Sequence, residues 1–212
     1  MKKKADLSPN FNKKSRPKKE IKFIIIHYTG MQSEIESLKK LCDHQSKVSC
    51  HYFINREGKI TQLVKDNKVA WHAGKSKWKN YSNLNLNSIG IELVNKGHQY
   101  GYQRFPKIQI NSLIDLCKKL KAKYNIKTEN FLGHSDIAPM RKIDPGEKFP
   151  WKKLSFFKLG YWYKKNRVNN KTFKKEQIPS IFFKNLYKIG YRYFKLKERH
   201  KADTLIIKIF QQ

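Results

Sequence analysis

The sequence of 212 residues is poor in cysteine and in acidic side chains. It has three cysteines, and 16 aspartates and glutamates against 47 lysines and arginines. Because Cys42, Cys50 and Cys117 include no CxxC pair, a disulfide framework or a thiolate zinc site is disfavoured. A Cys42–Cys50 bridge in an oxidising compartment stays open, whereas Cys117 is expected to be a small buried core residue.

Long apolar runs are also missing. The longest, FIIIHY, has the length of a strand, so we expect no segment that crosses a bilayer. The N-terminus, MKKKADLSPNFNKKSRPKKE, is basic but has no apolar stretch after its charges, unlike a secretory signal peptide. The expected compartment is therefore the cytoplasm, with the periplasm or secretion by a non-classical route as the alternative.

The formal net charge of +31 raises the question of nucleic-acid binding. Lysine, asparagine and isoleucine are enriched together throughout the chain, however, as an AT-rich genome would produce. The positive charge is also spread along the sequence rather than gathered into one stripe. Nucleic-acid binding is thus disfavoured as the main function, while attraction to an acidic polymer such as a carboxylate-bearing cell wall is physically reasonable.

Strand and helix patterns alternate from residue 21 to residue 155. Strands are predicted in IKFIIIHYT, SIGIELV and ENFLGH, and a hairpin in SCHYFINREGKITQLV. SEIESLKKLCDH and PKIQINSLIDLCKKLKAKYN have helical apolar spacing, with Ser33 as N-cap of the first helix. The apolar stripes are Ile35, Leu38, Leu41 and Cys42 in the first helix, and Ile110, Leu113, Ile114, Cys117, Leu120 and Tyr124 in the second. The pattern predicts an α/β fold, a central mixed β-sheet flanked by helices.

Two further segments flank this domain. Residues 1–20 are interpreted as a solvated basic arm that contains proline. Residues 156–212 are basic and rich in aromatic residues, and they show no strand pattern. IPSIFFKNLYKIGYRYF and ADTLIIKIFQQ predict two helices of a small C-terminal helical module.

Two histidines and one aspartate form a candidate metal-ligand set. His27 and His134 each end a predicted strand, at the sheet edge where ligand sites commonly form. Asp144 follows in a loop bracketed by proline and glycine. Two imidazoles and one carboxylate suit a catalytic zinc ion, which keeps its fourth position for water, although each histidine alone could equally be structural. Of the other histidines, we expect His51 in the core, and His44, His98 and His200 at the surface.

The motifs IIIHYT, WHAG, SIGIEL and GHSDIAPMRKIDPG, in this order and spacing, resemble the zinc-dependent N-acetylmuramoyl-L-alanine amidases of type 2. These enzymes share a fold with phage lysozyme-type amidases and peptidoglycan recognition proteins. The resemblance covers roughly residues 20–155, and it is strongest to the bacterial branch with a C-terminal peptidoglycan-binding domain. Residues 178–212 are similar to the first part of that domain, whose final helix we expect to be missing.

Carried over by position, the resemblance implies that His27, His134 and Asp144 bind zinc. It makes Glu92 the catalytic carboxylate and Lys142 the second catalytic group. Glu92 lies in an otherwise apolar strand and would act as general base, while Lys142 would stabilise the oxyanion. The alternative for Glu92 is an outward-facing glutamate on the strand without a catalytic role. The alternative for Lys142 is that it is one of the many exposed lysines.

Four further residues are candidate substrate contacts. Trp71 and His72 either line the cleft or only pack against other side chains. Asn95 follows the strand that carries Glu92 and could contact the substrate. Arg141 either contacts a substrate carboxylate or pairs with Asp136, and we favour the pairing. Asp136 itself is expected to bond within its own loop, as in an Asx turn.

The resemblance implies hydrolysis of the amide bond between N-acetylmuramic acid and L-alanine, in cell-wall degradation, remodelling or recycling. The substrate is peptidoglycan or muropeptides: the absent signal peptide favours soluble muropeptides, and the C-terminal module favours the polymer. The alternative is a non-catalytic peptidoglycan-binding or recognition module. The sequence predicts no particular oligomeric state.

Overall fold

The structure is a computed structural model that describes residues 7–163, 178–194 and 202–210. The strands in these ranges are β1 (Phe11–Asn12), β2 (Phe23–Tyr28), β3 (Tyr52–Ile54), β4 (Ile60–Gln62), β5 (Val69–Ala70), β6 (Lys77–Trp78), β7 (Tyr81–Ser82), β8 (Ser88–Leu93) and β9 (Phe131–Gly133). The α-helices are α1 (Glu34–Cys42), α2 (Lys107–Tyr124), α3 (His134–Ile137), α4 (Trp151–Phe156), α5 (Ile178–Ile189) and α6 (Ala202–Phe210).

A five-stranded sheet in the order β4-β3-β8-β2-β9 forms the centre of the molecule. Strands β3, β8, β2 and β9 are parallel, and β4 pairs antiparallel with β3 in the predicted hairpin. The predicted mixed sheet flanked by helices is therefore confirmed. In the register of β2 and β8, His27 lies beside Glu92.

The two faces of the sheet are covered by different parts of the chain. On one face, Ile24 and Ile26 join a cluster with the apolar stripe of α2. On the other face, Phe23 and Ile25 pack with Trp78 and with side chains of the C-terminal helices. Because side chains alternate along a strand, His27 lies on the same face as Ile25. Glu92 shares that face, since Ile91 and Leu93 belong to the cluster on the opposite one.

Helix α1 begins at its predicted N-cap: the Ser33 hydroxyl accepts a hydrogen bond from the Glu36 amide. The predicted apolar stripe is only partly correct. Leu41 is buried with Leu38 beside it, whereas the side chain of Ile35 is 79% exposed. Helical spacing alone did not reveal that the first turn of this short helix projects beyond the core.

The N-terminal residues correct another prediction. The first twenty residues are predicted to form a solvated arm, but Asn10 is fully buried and Arg16 is 8% exposed. Asn10 Nδ2 donates to the Val48 carbonyl, and the Arg16 guanidinium donates to the Asp66 carbonyl. The prediction is wrong for Asn10 and Arg16, because distant carbonyl groups satisfy donors that would otherwise require water, whereas most of their neighbours in residues 7–20 are exposed.

The C-terminal segment contains the two predicted helices, α5 and α6, and both pack on the sheet. Phe183, Leu186 and Ile206 share one buried cluster with Phe23 and Leu132 of the central sheet. This part of the chain therefore completes a core layer of the α/β fold within the described residues.

Two absences concern the described ranges only. The thiols of Cys42, Cys50 and Cys117 are free, so the open Cys42–Cys50 bridge is not formed. The helices of the described part of the chain are all too short or too polar to cross a bilayer.

Candidate metal centre and its cleft

Three donor side chains converge at the carboxyl edge of the central sheet. His27 is the penultimate residue of β2, His134 opens α3 directly after β9, and Asp144 lies in the following loop. Since β2 and β9 pair in parallel with Ile26 beside Gly133, both histidines emerge at the same edge. This edge of a parallel sheet is where side chains from separate strands commonly build a site.

The donor atoms form a nearly regular triangle. His27 Nδ1 lies 2.9 Å from His134 Nδ1 and 3.1 Å from Asp144 Oδ2, and the third edge is 3.2 Å. In a tetrahedral zinc site with ligand distances of about 2.0–2.1 Å, neighbouring donor atoms are about 3.3 Å apart. All three residues are buried, and within the described ranges they are the single group of this kind that could hold a metal ion. The geometry and donor types therefore fit zinc.

The protonation states of the three residues also suit a metal. His134 Nε2 lies 3.1 Å from the Ala73 carbonyl, to which it can only donate, so its Nδ1 presents a lone pair. Burial, together with the charge of His134, lowers the pKa of His27 to about 4, so this imidazole is neutral near pH 7. Burial acts to raise the pKa of Asp144, but the interactions with His134 and His27 outweigh it and hold that pKa below its ordinary value. The site thus presents a neutral imidazole of His27 and an ionised carboxylate of Asp144, and the Nδ1 atom of His134 faces both of them.

Glu92 stands beside this triangle, next to His27 in the strand register. Its Oε2 is buried and has no hydrogen-bond partner among the described residues. Burial raises the pKa of Glu92 to about 8, and the negative charge of Asp144 adds to this shift, while Lys142 opposes it. A carboxyl group whose pKa lies near neutrality can both accept and release a proton, as general acid–base catalysis requires.

The donor triangle and Glu92 open into a cavity of about 320 Å³. Its wall also includes Lys142, which lies two residues before Asp144 and whose side chain is half-buried. Trp71 lines the same cavity, and its indole Nε1 donates to Asn12 Oδ1 at 2.8 Å. The predicted catalytic and metal-binding residues are therefore gathered in one cleft, with an aromatic side chain on its wall.

His72 also lines the cavity, but both of its nitrogens are engaged by the protein. Nδ1 lies 3.0 Å from His27 Nε2, and Nε2 lies 3.2 Å from Ser88 Oγ. The ring is 8% exposed. The predicted contact between His72 and substrate could therefore be made only by a ring edge.

Asn95 is not among the residues that line the cavity, so the structure gives its predicted substrate contact no support. Its side chain is buried, with Nδ2 donating to the Gln103 carbonyl at 2.8 Å. Its Oδ1 accepts from the Gly97 amide at 3.1 Å. An asparagine that ties together its own loop cannot be distinguished by sequence position from one that faces a ligand.

Arg141 and Asp136 are both ordered, but they do not form the predicted pair. Arg141 donates to the carbonyls of Ala73 and Lys75, and it contributes no side chain to the cavity wall. Asp136 accepts a hydrogen bond from the Gly133 amide, as the predicted loop role requires, and another from the Tyr191 hydroxyl. The expected substrate contact of Arg141 is likewise unsupported, because its guanidinium serves the backbone.

The sequence interpretation missed His98, which was expected to be an unremarkable surface residue. The ring is exposed, yet it lines the cavity and lies 2.9 Å from the Tyr28 hydroxyl and 2.9 Å from Glu147 Oε2. Its position soon after β8, at the same sheet edge as His27, was the available signal. His51, in contrast, is fully buried as predicted, and its Nδ1 accepts from the Gly90 amide.

Comparison with known proteins agrees with this geometry. The family model described as N-acetylmuramoyl-L-alanine amidase matches residues 17–147. Over 161 residues the chain is 44% identical to N-acetylmuramoyl-L-alanine amidase AmiD of Escherichia coli K12, a match covering 70% of this chain and 57% of that protein. It is 34% identical over 164 residues to 1,6-anhydro-N-acetylmuramyl-L-alanine amidase AmpD of Haemophilus influenzae, covering 69% and 86% of the two chains.

A solved structure of E. coli AmiD, in complex with the substrate anhydro-N-acetylmuramic acid-L-Ala-D-gamma-Glu-L-Lys, superposes with a TM-score of 0.78. The two are 35% identical, and the superposition covers 94% of this chain and 82% of that one. The fold and the site thus define an α/β protein of the type 2 amidase class. The chain belongs to the N-acetylmuramoyl-L-alanine amidase family, as the motif resemblance predicted.

Proposed function

We propose that this protein is a zinc-dependent N-acetylmuramoyl-L-alanine amidase that cuts the amide bond between N-acetylmuramic acid and L-alanine. The observation that carries the proposal is the donor triangle of His27, His134 and Asp144 placed directly beside Glu92. A recognition module that only bound peptidoglycan would not need a half-buried carboxyl group without a hydrogen-bond partner next to three metal donors. The catalytic set is intact in residue type at every predicted position.

His27, His134 and Asp144 would hold the zinc ion. When bound, zinc supplies Lewis acidity and lowers the pKa of a coordinated water to about 7. The protein's part is to present three ligands in a fixed geometry and to leave one side open to the cavity.

Glu92 acts as the proton carrier of the reaction. It takes a proton from the attacking water, whose oxygen forms the new bond to the muramoyl carbonyl carbon. As the carbon–nitrogen bond breaks, Glu92 delivers the proton to the amine of L-alanine, so the carboxyl group returns to its starting state. Glu92 lies beside the donor triangle, and its Oε2 has no hydrogen-bond partner among the described residues, so the carboxyl group is available for both proton transfers.

Lys142 provides a positive charge for the carbonyl oxygen, which becomes an oxyanion when water adds. Lys142 lines the same cavity and comes two residues before Asp144 in the sequence. A preorganised charge at that point stabilises the transition state more than the ground state. Trp71 offers an aromatic surface on which a sugar ring or peptide stem can lie.

The test is hydrolysis of intact sacculi and of soluble anhydromuropeptides by the purified protein, followed by mass spectrometry. We expect released peptides that begin with L-alanine, loss of activity in a chelator and recovery with zinc. Tight binding to sacculi without release would instead favour the recognition module. Comparing the two substrates decides between the polymer and recycled muropeptides.

Glu92→Gln is the matched variant for this assay, since it keeps the shape of the side chain but cannot accept the proton. We expect its rate to fall by roughly 10²–10⁴-fold, the usual contribution of a general base. Zinc content should stay at the wild-type level, because Glu92 is not one of the three donors. Full activity in Glu92→Gln would contradict the assigned role.

A further inference from the structure

We propose that Ser88 and His72 form a hydrogen-bond relay that fixes the tautomer of His27, so that its Nδ1 is free to bind the metal. In this view His72 is a positioning residue rather than a substrate contact. The inference rests on the proposed metal centre, and it adds two residues to which neither the motif resemblance nor the comparisons give a role.

The relay starts at the Ser88 hydroxyl. Ser88 Oγ lies 2.6 Å from the Leu84 carbonyl oxygen, which can only accept a hydrogen bond. The single hydroxyl hydrogen therefore points to Leu84. At its other neighbour, 3.2 Å away, Ser88 Oγ must accept, so His72 Nε2 carries a proton and donates it.

The donor–acceptor direction set by Ser88 also determines the hydrogen bond between His72 and His27. A neutral imidazole has one N–H, and a second proton would place a charge on a ring that is 8% exposed. His72 Nδ1 is therefore an acceptor, and His27 Nε2 donates to it over 3.0 Å. A neutral His27 then carries its proton on Nε2, and the lone pair of its Nδ1 is available to a metal ion shared with Asp144 Oδ2, which lies 3.1 Å away.

Gly90 explains why the His72 ring can take this position. A Cβ atom at residue 90 would lie 2.4 Å from Cγ and 2.5 Å from Nδ1 of His72, so the ring rests directly on the backbone of β8. Ser88, Gly90 and Glu92 alternate along one face of β8. Ser88 anchors the relay, and Gly90 makes room for the His72 ring. Glu92 is the proposed general base.

The same arrangement separates His72 from the substrate. Both of its nitrogens are used, one by Ser88 and one by His27. Partners that hold the second nitrogen of a metal-bound histidine typically change metal affinity by 10–100-fold when they are removed. Ser88 lies two hydrogen bonds from the metal donor, and it is fully buried, so an effect of its removal cannot arise from a lost substrate contact.

The first experiment measures zinc affinity by competition with a chromophoric chelator, using Ser88→Ala, His72→Phe and a control, Ser8→Ala. Ser8 is also a buried serine whose hydroxyl donates to a carbonyl, that of Leu41, outside the relay. We expect zinc binding to weaken about 10–100-fold in His72→Phe and about tenfold in Ser88→Ala. Ser8→Ala should remain within about twofold of wild type.

The second experiment reads the tautomer itself, by nitrogen-15 NMR of the imidazoles in the chelator-treated protein. Wild type and Ser8→Ala should have a larger fraction of His27 protonated on Nε2 than Ser88→Ala, in which the proton can move to Nδ1 and hydrogen-bond to Asp144. A merely structural role of Ser88 would lower the melting temperature without moving this signal. Should His72→Phe fail to fold, Ser88→Ala still decides the question.

Wild-type zinc affinity in both folded relay variants would overturn the inference, as would identical His27 tautomer populations in wild type and Ser88→Ala. Neither measurement needs a substrate. A protein that bound zinc normally but hydrolysed no muropeptide would therefore refute the proposed activity and leave the relay standing. Normal hydrolysis by relay variants with unchanged zinc affinity would refute the relay and leave the proposed activity standing.

Discussion

His27 and His134 face each other over 2.9 Å, yet their rings are held by two different kinds of structure. His27 extends from an interior strand of the sheet, and its support comes from Ser88 on the adjoining strand β8 and from His72, which lies after β5 and rests against β8. We call this the strand side of the site. His134 opens the four-residue helix α3, and its support comes from loop carbonyls and from the C-terminal segment. We call this the loop side.

The loop side depends on one contact with the C-terminal segment. Asp136 fixes the start of α3 by accepting from the Gly133 amide at 2.8 Å, and its other oxygen accepts from the Tyr191 hydroxyl. The Tyr191 ring in turn packs edge-on against Trp78, with ring centroids 4.9 Å apart. The comparison therefore indicates that His27 is supported by residues on or against the central sheet. The support of His134, in contrast, includes residues far along the chain.

The strongest way to break the loop side is to remove the packing of α5. Phe183 is 2% exposed and shares a cluster with Phe23 and Leu132, so we expect Phe183→Ala to lower the free energy of unfolding by about 3–5 kcal/mol. Urea denaturation measures this. Phe156→Ala, at a side chain that is 74% exposed, is the matched control and should change stability by about 0.5 kcal/mol or less.

If the C-terminal segment were an independent module, Phe183→Ala would melt that segment alone. The unfolding transition of the α/β fold would then stay at its wild-type midpoint, and zinc affinity would be unchanged. That pair of results would show that the loop side does not depend on the C-terminal segment.

The strand side can be tested through the pH dependence of stability in the metal-free protein. The pKa of Glu92 is raised by burial from 4.5 to about 8 in the fold, so the folded state retains a proton that the unfolded state releases. Stability contributed by Glu92 is therefore complete below pH 4.5 and is lost as the pH rises toward 8. Glu92→Gln lacks this loss, so its stability relative to wild type should increase by on the order of 2–4 kcal/mol over that range.

Urea titrations at pH 4.5, 6 and 8 measure this difference. Parallel stability profiles for wild type and Glu92→Gln would show that Glu92 is not held in a low-dielectric site. Zinc must be removed beforehand, because its charge would favour the ionised carboxylate.

The smallest expected effect comes from one hydroxyl group. Tyr191→Phe removes the donor to Asp136 and leaves the ring on Trp78, so we expect a loss of about 1.5–3 kcal/mol, typical of a hydrogen bond to a charged group. Zinc affinity should fall severalfold as α3 loosens. The measurement combines urea denaturation with chelator competition, and Tyr187→Phe, at a 41% exposed ring, serves as the control.

An unchanged zinc affinity in Tyr191→Phe would indicate that the Ala73 carbonyl alone orients His134. The loop side would then be as self-contained as the strand side, and the difference between them would disappear.

The strand side was also the easier half to predict from sequence. Strands β2 and β8 are continuous apolar runs, and α2 places its apolar residues at helical spacing, so each element can be recognised from its own residues. His27 lies at the end of β2 and His134 directly after β9, where the sheet edge brings them together. Local pattern was sufficient for the fold class, whereas the complete donor triangle also required the motif resemblance.

The remaining features depend on partners that are distant in sequence. Arg16 is buried because carbonyl groups some 50–70 positions later accept its hydrogen bonds. Asn95 and Arg141 have side chains suited to a substrate, but backbone groups nearby take up their hydrogen-bonding capacity. His98 reaches the cleft through a loop whose path no periodicity describes. Such pairings are absent from any local pattern, so they could not be predicted from it.

The parallel register of β2 and β8 has a consequence for how the chain finds its fold. Phe23, Ile24, Ile25 and Ile26 are apolar on both faces of β2, so sliding this strand by one place would cost little hydrophobic burial. His27 is the exception, since a slip would turn its imidazole away from His72 and place Tyr28 there instead. His27, which the proposed metal site requires, therefore also distinguishes the correct register of β2 against β8.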